Sequence, residues 1–451
     1  MAERRKLSRQ KDSVLDRISN LPESLICHIL SFLPTKNAVA TSILSSRWKL
    51  LWTLVPKLDL DTDTIDSYKG NWKLHWTVVP GLDLESKAIF FEHIVFRVLE
   101  LQQQTQCLQK FRLKFEVGDS TSYDQYLKTW LRVAAARKVK ELDLEICFDR
   151  ATMSWNPLTL PHSIYTCRTL VVLKLRGETD IDTSSLSFQF PCLKILHLIS
   201  VFHTGEHSLS RLLSSCPVLE ELSYERKYEG FEYRKISVPT VKRLSITLRE
   251  ERYFCNHKLE INAPALEYFN FKGDLLGIKI NEKLENLVEA NVDIWTFCSK
   301  RWEDDRHEER CRDRVFQLLA ALSNVKLLSF YFREIQLLHI GFVYPASYQN
   351  LVRLDFKVRV ACNWLVLLDL LQNAPNLEFL VVSKGDGFLE QSLCWKEPPD
   401  YLSSHLKSLC YRGFEGLRSE VGFLKYIVKY ARVLKTVTIQ FSGGELKEIV
   451  L

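Results

Sequence analysis

The sequence has no long hydrophobic run and no secretory pattern at its start. Its first residues, MAERRKLSRQKDSVLDR, are basic, but no apolar stretch of about 7–15 residues follows them. The apolar stretch at residues 364–371 is interrupted by Asp369 and falls short of the roughly 20 residues that a membrane-spanning helix needs. We therefore expect a protein that stays inside the cell, in the cytoplasm or the nucleus or both, without a membrane partner.

Charge of one sign is not in large excess. Lys and Arg number 61 against 55 Asp and Glu, which gives a formal net charge of +6 over 451 residues. Nucleic-acid-binding proteins usually concentrate a larger basic excess on one face, so no nucleic-acid partner is predicted. Apolar residues make up 46% and charged residues 26%, close to the usual globular values of about 45–50% and about 25%. This composition excludes wholesale disorder.

Motifs for catalysis and metal binding are missing as well. The sequence contains no G-x-x-x-x-G-K-[ST] phosphate loop and no H-E-x-x-H zinc pattern. His203 and His207 are four residues apart, but Gly205 lies between them and no third ligand is in view. The twelve cysteines have no paired spacing, which favours reduced, partly buried thiols over disulfides or a catalytic nucleophile. The sequence therefore predicts no catalytic residue, no metal and no cofactor.

One segment is present twice in tandem. Residues 48–61, WKLLWTLVPKLDLD, recur 24 positions later as residues 72–85, WKLHWTVVPGLDLE, with ten of fourteen positions identical. We expect the extra residues 62–85 to be an insertion in a surface connection, because such connections tolerate added length at little entropic cost. If Trp72 and Trp76 were core residues instead, the second copy would lead into the rest of the fold.

A longer repeat of the form apolar-x-x-apolar-x-apolar runs from about residue 108 to the C-terminus. Most of its steps fall in or near the 20–29-residue window that is typical of leucine-rich repeats. Five copies have proline two residues before the first apolar position, where a fixed φ suits the approach to a strand; these are Pro191, Pro217, Pro239, Pro264 and Pro375. The copies begin at Val139, Leu170, Leu193, Leu219, Val241, Leu266, Leu287, Val325, Leu351, Leu377, Leu406 and Leu434.

Alternation within each copy predicts a strand with one buried face and one polar face. Stacked in parallel, such strands form a solenoid with a long concave surface that suits protein binding. The outward column of the predicted strands reads Asp143, Lys174, His197, Ser223, Ser245, Asn270, Asn291, Ser329, Asp355, Val381, Cys410 and Thr438.

Interface energy usually comes from large aromatic or arginine anchors. Within and beside the outward column, the predicted target-binding residues are therefore Arg176, Arg243, Tyr268, Tyr331 and Arg353. The alternative is that these are ordinary solvated strand residues and that a target binds at the edges or the terminal repeats of the solenoid.

Residues 16–52 have no repeat character and predict short helices. Pro22 suits the first position of a helix. Pro34 is expected to end that helix, Thr35 to cap a second helix and Ser45 to cap a short third one. An apolar stripe at helical spacing comprises Leu25, Ile26, Ile29, Leu30 and Leu33. So short a segment cannot bury this much apolar surface alone, so we expect a protein partner to cover it.

These residues resemble an F-box. Leu21-Pro22, Ile29-Leu30, Leu33-Pro34 and the Ser45-x-Arg47-Trp48 ending stand in the order and spacing of that family. The similarity continues through the repeats at residues 139–146, 160–177, 191–198 and 212–222. Residues 394–409 and 423–439 resemble a C-terminal FBD domain. Together these segments are similar to the plant F-box/FBD/LRR family.

The resemblance implies an α/β fold in which a three-helix F-box precedes a leucine-rich-repeat solenoid. The solenoid has a curved parallel sheet with helices and loops on its convex side, and an FBD segment closes it. The implied boundaries are 14–61 for the F-box, 62–107 for a linker with the duplication and a connecting helix, 108–390 for the repeats and 391–451 for the FBD domain, which continues the repeats.

The function implied by the resemblance is that of a substrate-recognition subunit of a cullin–RING (SCF-type) ubiquitin ligase, itself non-catalytic. The F-box binds a Skp-type adaptor and through it a cullin, while the repeats and FBD domain hold a target protein. The adaptor-binding residues, in or immediately behind an apolar interface, are Leu21, Pro22, Ile26, Ile29, Leu30, Leu44 and Trp48.

A second function stays open at this point, that of a repeat scaffold not coupled to degradation. The intact Leu21-Pro22 pair and Trp48 favour the ligase receptor. The duplication slightly favours the scaffold, because an insertion just after the F-box can change how rigidly a target is held relative to the ligase.

Overall fold

The fold is known from a computed structural model. It describes residues 18, 20–62, 79, 91–102, 107–117, 123–148, 157–177, 179–182, 187–204, 207–226, 233–248, 258–274, 278–280, 283–295, 305–332, 347–359, 361–385 and 405–450. Structural statements below refer to these residues.

Helices alternate with strands along the chain. The α-helices are α1 (Glu23–Leu30), α2 (Thr35–Ala40), α3 (Phe91–Leu101), α4 (Tyr123–Ala136), α5 (His162–Tyr165), α6 (Ser208–Ser214), α7 (Asp305–Ala321), α8 (Ala361–Gln372) and α9 (Arg418–Tyr430). Two short 3₁₀ turns span Thr41–Ile43 and Leu51–Leu54.

The strands are short and numerous. They are β1 (Lys57–Asp61), β2 (Lys110–Val117), β3 (Glu141–Phe148), β4 (Leu158–Thr159), β5 (Val172–Gly177), β6 (Thr179–Asp182), β7 (Ile195–Ile199), β8 (Phe202–Thr204), β9 (Glu221–Arg226), β10 (Tyr233–Ser237), β11 (Arg243–Leu248), β12 (Lys258–Asn262), β13 (Tyr268–Asp274), β14 (Ile278–Ile280), β15 (Glu289–Trp295), β16 (Leu327–Phe332), β17 (Arg353–Val358), β18 (Phe379–Lys384), β19 (Ser408–Phe414), β20 (Thr436–Phe441) and β21 (Leu446–Val450).

One long sheet organises the described part of the chain. Its fifteen strands follow the order β1-β2-β3-β5-β7-β9-β11-β13-β15-β16-β17-β18-β19-β20-β21. Each neighbouring pair is parallel except β20 and β21, which are antiparallel. The remaining strands form two three-stranded parallel sheets, β4-β6-β8 and β10-β12-β14. The expected α/β fold with a large, mostly parallel sheet is confirmed.

Each of the twelve predicted repeat copies forms a strand of the long sheet. Every strand starts two residues after the first apolar position, from Glu141 in the first copy to Thr436 in the last. None of the predicted copies corresponds to β1 or β2, although the repeat is expected from about residue 108 and Leu108, Phe111 and Leu113 of the β2 region carry its pattern and are fully buried. The prediction also missed β21, the antiparallel strand at the end of the long sheet, and the six strands of the two small sheets.

Strand register places the outward residues opposite one another. Asp143 pairs with Lys174, and Lys174 with His197. The pairing continues without a break to Cys410 and Thr438. The flanking apolar side chains, such as Leu142 and Leu144, are fully buried in one continuous core. The predicted division into a polar face and a buried face therefore holds for most of the column, although Asp143 and Val381 are only 7% and 5% exposed. We call the side that carries the column the outward face.

The turns before the strands contain both predicted and unpredicted features. All five prolines lie in turns, four residues before a strand begins, as expected for residues without a backbone donor. Later repeats use asparagine near this place. The side-chain amides donate to the preceding repeat: Asn286 to the Pro264 carbonyl (3.0 Å), Asn350 to Asn324 Oδ1 (2.6 Å) and Asn376 to the Gln349 carbonyl (2.7 Å). These bonds fix the spacing between successive turns.

Candidate protein-binding surfaces

The first two helices of the F-box segment begin directly after prolines. Pro22 precedes α1 and Pro34 precedes α2, with extended backbone at both prolines. The expectation that Pro34 ends the first helix is wrong, because α1 ends at Leu30 and a turn separates the two helices. Thr35 is the first residue of α2 rather than its cap. Its hydroxyl oxygen instead accepts the Asp59 backbone N–H at 2.7 Å, which ties α2 to strand β1.

The prediction of a third helix in the F-box segment is wrong. In its place are the two 3₁₀ turns, Thr41–Ile43 and Leu51–Leu54, joined by a hydrogen-bonded turn. Side chains of this segment donate hydrogen bonds to backbone groups elsewhere in the chain, and such bonds compete with those of a regular helix. Ser42 Oγ donates to the Lys49 carbonyl (3.1 Å), and Arg47 Nη2 donates to the Leu21 carbonyl (2.6 Å).

Helix α1 is apolar on two faces. Ile26 and Leu30, four residues apart, are buried in the core. Leu25, Ile29 and, just beyond the helix, Phe32 follow the spacing of an adjacent face and are exposed. A helix with one stripe in its own core and a second apolar stripe in water needs a further partner to cover that stripe.

Seven large apolar side chains of residues 18–50 are 45–74% exposed. They are Ile18, Leu25, Ile29, Phe32, Ile43, Leu44 and Leu50, and we call them the F-box apolar surface. Single exposed apolar residues are common on soluble proteins, but so many within one short segment are typical of an interaction surface.

The predicted adaptor-binding residues divide into two groups. Pro22, Ile29 and Leu44 are exposed, and Leu21 is partly buried. The other three are buried and hold the helices together; they are Ile26, Leu30 and Trp48. Five exposed members of the F-box apolar surface were not among the predicted adaptor-binding residues: Ile18, Leu25, Phe32, Ile43 and Leu50. Of these, Leu25 belongs to the apolar stripe that a partner was expected to cover. The helical spacing of Leu25, Ile29 and Phe32 was a usable signal for two of these.

Polar contacts fix the F-box segment to the start of the long sheet. Lys57 of β1 donates through Nζ to the Ser31 carbonyl at 3.1 Å. The buried Gln102, just after α3, donates through Nε2 to the carbonyls of Trp52 (3.4 Å) and Val55 (3.3 Å). Since β1 pairs with β2 in register, the F-box and the repeats share one sheet and one core.

The structure shows which copy of the tandem duplication leads into the long sheet. Trp48 and Trp52 of that copy are buried, and its last residues form β1. The first copy therefore leads into the sheet. Trp72 and Trp76 of the second copy lie outside the described residues. Val79, which corresponds to Val55 of the first copy, is described and is buried in the core.

The predicted target-binding residues all lie on the outward face but do not form one site. Arg176 contacts Asp143 (3.2 Å) on a neighbouring strand. Arg243 lies 4.4 Å from the centre of the Tyr268 ring, a cation–π contact. Lys357 lies 4.5 Å above the Tyr331 ring, and Arg353 pairs with Asp355 at 2.9 Å. The structure thus places the five in three clusters, on β5, on β11 and β13, and on β16 and β17.

The third cluster contains two apolar residues that the sequence analysis missed. Leu327 and Phe379 are 37% and 39% exposed and flank Arg353 in the strand register. Strands β16 to β18 therefore bring a leucine, an arginine and a phenylalanine side by side on the outward face. Tyr331 lies four residues further along β16, opposite Lys357. Aromatic and arginine side chains of this kind are the usual anchors of protein interfaces.

The described residues contain few features of an active site. Within them, no group of three or more His, Cys, Asp or Glu could hold a metal ion. Seven of the cysteines are reduced thiols: Cys27, Cys107, Cys147, Cys167, Cys192, Cys216 and Cys410. Burial raises the pKa of Cys216 to about 11, which disfavours the nucleophilic thiolate. No described helix is long and apolar enough to cross a membrane.

Three domain families match this chain. Residues 18–60 match the F-box domain, residues 127–291 match the repeats described as "FBD-associated F-box protein At5g56370, LRR repeats", and residues 395–439 match the FBD domain. The match to the F-box covers α1, α2 and most of β1, and the FBD match includes α9 and part of β20. The chain is therefore an F-box protein with leucine-rich repeats and a C-terminal FBD domain.

Relatives of similar length are found in Arabidopsis thaliana. The chain is 31% identical to "Putative FBD-associated F-box protein At3g50710" over 95% of its own length and 93% of the relative. It is 30% identical to "F-box/LRR-repeat protein 13" over 96% of this chain and 91% of that protein. It is also 30% identical to "F-box/FBD/LRR-repeat protein At4g26340", again over 96% of this chain. The chain belongs to the plant F-box/FBD/LRR-repeat family.

Proposed function

We propose that this protein is a substrate-recognition subunit of an SCF-type cullin–RING ubiquitin ligase. In this proposal the F-box apolar surface binds a Skp-type adaptor, and the adaptor connects the chain to a cullin. The outward face of the repeats, with the FBD domain, binds the target protein. The chain performs no bond chemistry itself and acts in the cytoplasm or nucleus.

The observation that carries the proposal is the second apolar stripe of α1. Leu25, Ile29 and Phe32 face solvent while Ile26 and Leu30 complete the core, so the exposed stripe is dispensable for folding of the segment. The bond from Lys57 to the Ser31 carbonyl and the bond from the Asp59 N–H to Thr35 hold this segment against β1, and Gln102 ties it to the end of α3. A bound adaptor would therefore be fixed in orientation relative to the repeats, as target presentation requires.

The adaptor-binding prediction is tested by charging the exposed stripe. Ile29→Glu combined with Leu44→Glu should abolish binding of a purified plant Skp-type adaptor, because a few buried anchors dominate interface energy at about 2 kcal/mol or more each. Isothermal titration calorimetry measures the loss directly. The matched control is Val218→Glu with Val288→Glu, two valines of similar exposure in the repeats, which should leave the affinity unchanged. Equal affinity of both double variants would contradict the proposal.

Coupling to degradation is tested in a reconstituted ligase. With adaptor, cullin, RING protein, E1 and E2, the wild-type chain should promote ubiquitin transfer to itself or to proteins that it captures from plant extract. The Ile29→Glu, Leu44→Glu variant should not. Tight adaptor binding without any transfer would instead establish the scaffold function.

A further inference from the structure

The exposed face of α9, in the FBD domain, is basic. Arg418, Lys425 and Lys429 are seven and four residues apart in the helix, which places them along one line on its surface. All three are exposed. The opposite face carries Phe423 and Ile427, which are fully buried.

The basic character continues beyond the helix. Arg432 and Lys435, in the turn that leads to β20, are also exposed. We call the five cations Arg418, Lys425, Lys429, Arg432 and Lys435 the FBD basic surface. The acidic residue of α9, Glu420, points inward and is 0% exposed. It therefore does not offset this charge at the surface.

At the same edge of the earlier repeats, several lysines are paired with a glutamate of an adjacent repeat. Lys194 bonds to Glu220 at 2.7 Å, and Glu378 accepts from Lys407 at 2.6 Å. Lys435 has no glutamate beside it at this edge. Its backbone N–H donates to the Lys407 carbonyl, so the same position is a lysine in two successive repeats. Within the described part of the chain, Lys425, Arg432 and Lys435 make no ion pair. Some earlier edge lysines, such as Lys194 and Lys407, are thus paired with a glutamate, whereas Lys140 and Lys326 are not paired among the described residues. The FBD basic surface differs in that three unpaired cations fall within residues 425–435.

Apolar side chains lie among these cations. Val428 and Val433 are 47% and 38% exposed. The neighbouring Tyr430 is partly buried, packs on Tyr426 at 5.4 Å between ring centres and lies under Lys429. Single-stranded nucleic acid is usually bound on free aromatic rings between cations, and neither tyrosine offers such a ring. Cations around exposed valines instead complement a protein segment that carries both carboxylates and apolar side chains.

We propose that the FBD basic surface binds an acidic, partly apolar segment of a partner protein. This site is distinct from the F-box apolar surface and from the outward-face clusters, and its occupancy does not depend on adaptor binding. Reversing its unpaired cations should therefore leave the adaptor affinity unchanged, so the two proposals can fail separately.

The binding partner can be represented by a short fluorescent peptide of glutamates and leucines. Fluorescence anisotropy with the full chain should show saturable binding that weakens as salt rises, because exposed charges are screened. The analogue with glutamine in place of glutamate should bind at least about tenfold more weakly, a difference of about 1.4 kcal/mol. Labelled single-stranded and double-stranded DNA of the same length are the competing probes.

Two triple variants give the decisive comparison. Lys425→Glu, Arg432→Glu and Lys435→Glu together should lower peptide affinity by about tenfold or more. The control reverses Arg132, Lys140 and Lys283, which are exposed and lie elsewhere on the solenoid. Both triples lower the formal net charge of +6 by the same amount, so the control removes the effect of total charge. Circular dichroism and retained adaptor affinity verify that both variants are folded.

Other results of these experiments would overturn the proposal or assign the FBD basic surface to a different ligand. Equal peptide affinity of the two triples would show that binding follows net charge alone and would overturn the proposal. Failure of the wild-type chain to bind the peptide, or equal binding of the glutamine analogue, would also overturn it. Tighter binding of DNA than of the peptide, lost in the first triple variant, would assign the surface to nucleic acid instead.

Discussion

A single buried carboxylate organises the turn that leads into α9. Glu420 accepts three hydrogen bonds, from the backbone N–H of Glu415 (3.0 Å), the backbone N–H of Leu417 (2.9 Å) and the Tyr411 hydroxyl (3.2 Å). Burial, together with the charge of Glu420, raises the pKa of Tyr411 above its usual range. The tyrosine therefore stays protonated and continues to donate.

Replacing Glu420 by Ala should lower the free energy of unfolding by about 2–3 kcal/mol, because buried donors are left without an acceptor. Urea denaturation measures the loss, and hydrogen exchange at the Glu415 and Leu417 amides should accelerate. Glu445→Ala, which truncates an exposed glutamate of the same domain, should change stability by less than about 0.5 kcal/mol. Equal stability of the two variants would mean that the three bonds to Glu420 contribute little.

The sequence predicts which residues face outward and which face the core wherever polar and apolar positions alternate along a strand. The outward and inward positions of the repeats alternate strictly, so Leu142, Leu144 and Asp143 were assigned correctly from the sequence. The anchors were predicted only in part. Leu327 and Phe379 precede the outward residues Ser329 and Val381 by two positions, so the same alternation assigns them to the outward face, but they were overlooked as anchors. How far each is exposed depends on the side chains that flank it in the sheet, which the alternation alone does not give.

At the scale of elements, most strands of the long sheet were predictable, whereas the strands of the two small sheets and the absence of a third F-box helix were not. The repeat pattern located twelve strands because turn, strand and spacing all agree. The prediction of a third F-box helix was wrong because Ser42 and Arg47 bond to backbone groups seven and 26 residues away. Local helix propensity does not take such contacts into account. Strand β1 was overlooked for a related reason, since it belongs to the segment that resembles the F-box and yet pairs with the repeats.

Deleting residues 62–85 should remove the duplication and leave adaptor binding intact. The first copy already supplies the buried Trp48, Trp52 and β1. The expected cost is no more than about 1.5–3 kcal/mol, the value for burial of one valine side chain, because the deletion removes the buried Val79. Thermal denaturation provides the measurement, with Val79→Ala as the matched variant. A much larger loss for the deletion would show that Trp72 and Trp76 are core residues.

At the scale of the whole molecule, the F-box, repeats and FBD domain share one hydrophobic core that extends from Ile26 to Val437. The combination of an F-box, repeats and an FBD domain was evident from the resemblance, and the fold class followed from it. The distribution of the predicted target-binding residues over three clusters was not evident, because it follows from the order and register of the strands. Target binding by this face stays a prediction.

Substituting Arg176, Arg243, Tyr268, Tyr331 and Arg353 together by Ala should leave folding and adaptor affinity unchanged but stabilise the target in cells. Adding Leu327→Ala and Phe379→Ala should strengthen the effect if the third cluster dominates. Target half-life and co-purification provide the readouts. The control set is Lys194, Glu220, Lys242, Glu267 and Lys326, all to Ala, at the exposed edge of the repeats. Unchanged turnover, combined with its arrest by changes in residues 394–451, would move recognition to the FBD domain.

The continuous sheet also sets the distance between the F-box and the outward-face clusters. Strand β17, with Arg353, is ten strands from β1, to which the F-box is bonded. At about 4.8 Å per parallel strand, this separation is about 50 Å along the sheet. Each added or deleted repeat would shift a bound target by one strand step and rotate it slightly with the twist of the sheet. Under the proposed function, the number of repeats would therefore set the distance between the bound adaptor and the bound target, and with it which lysine of the target is within reach of ubiquitin transfer.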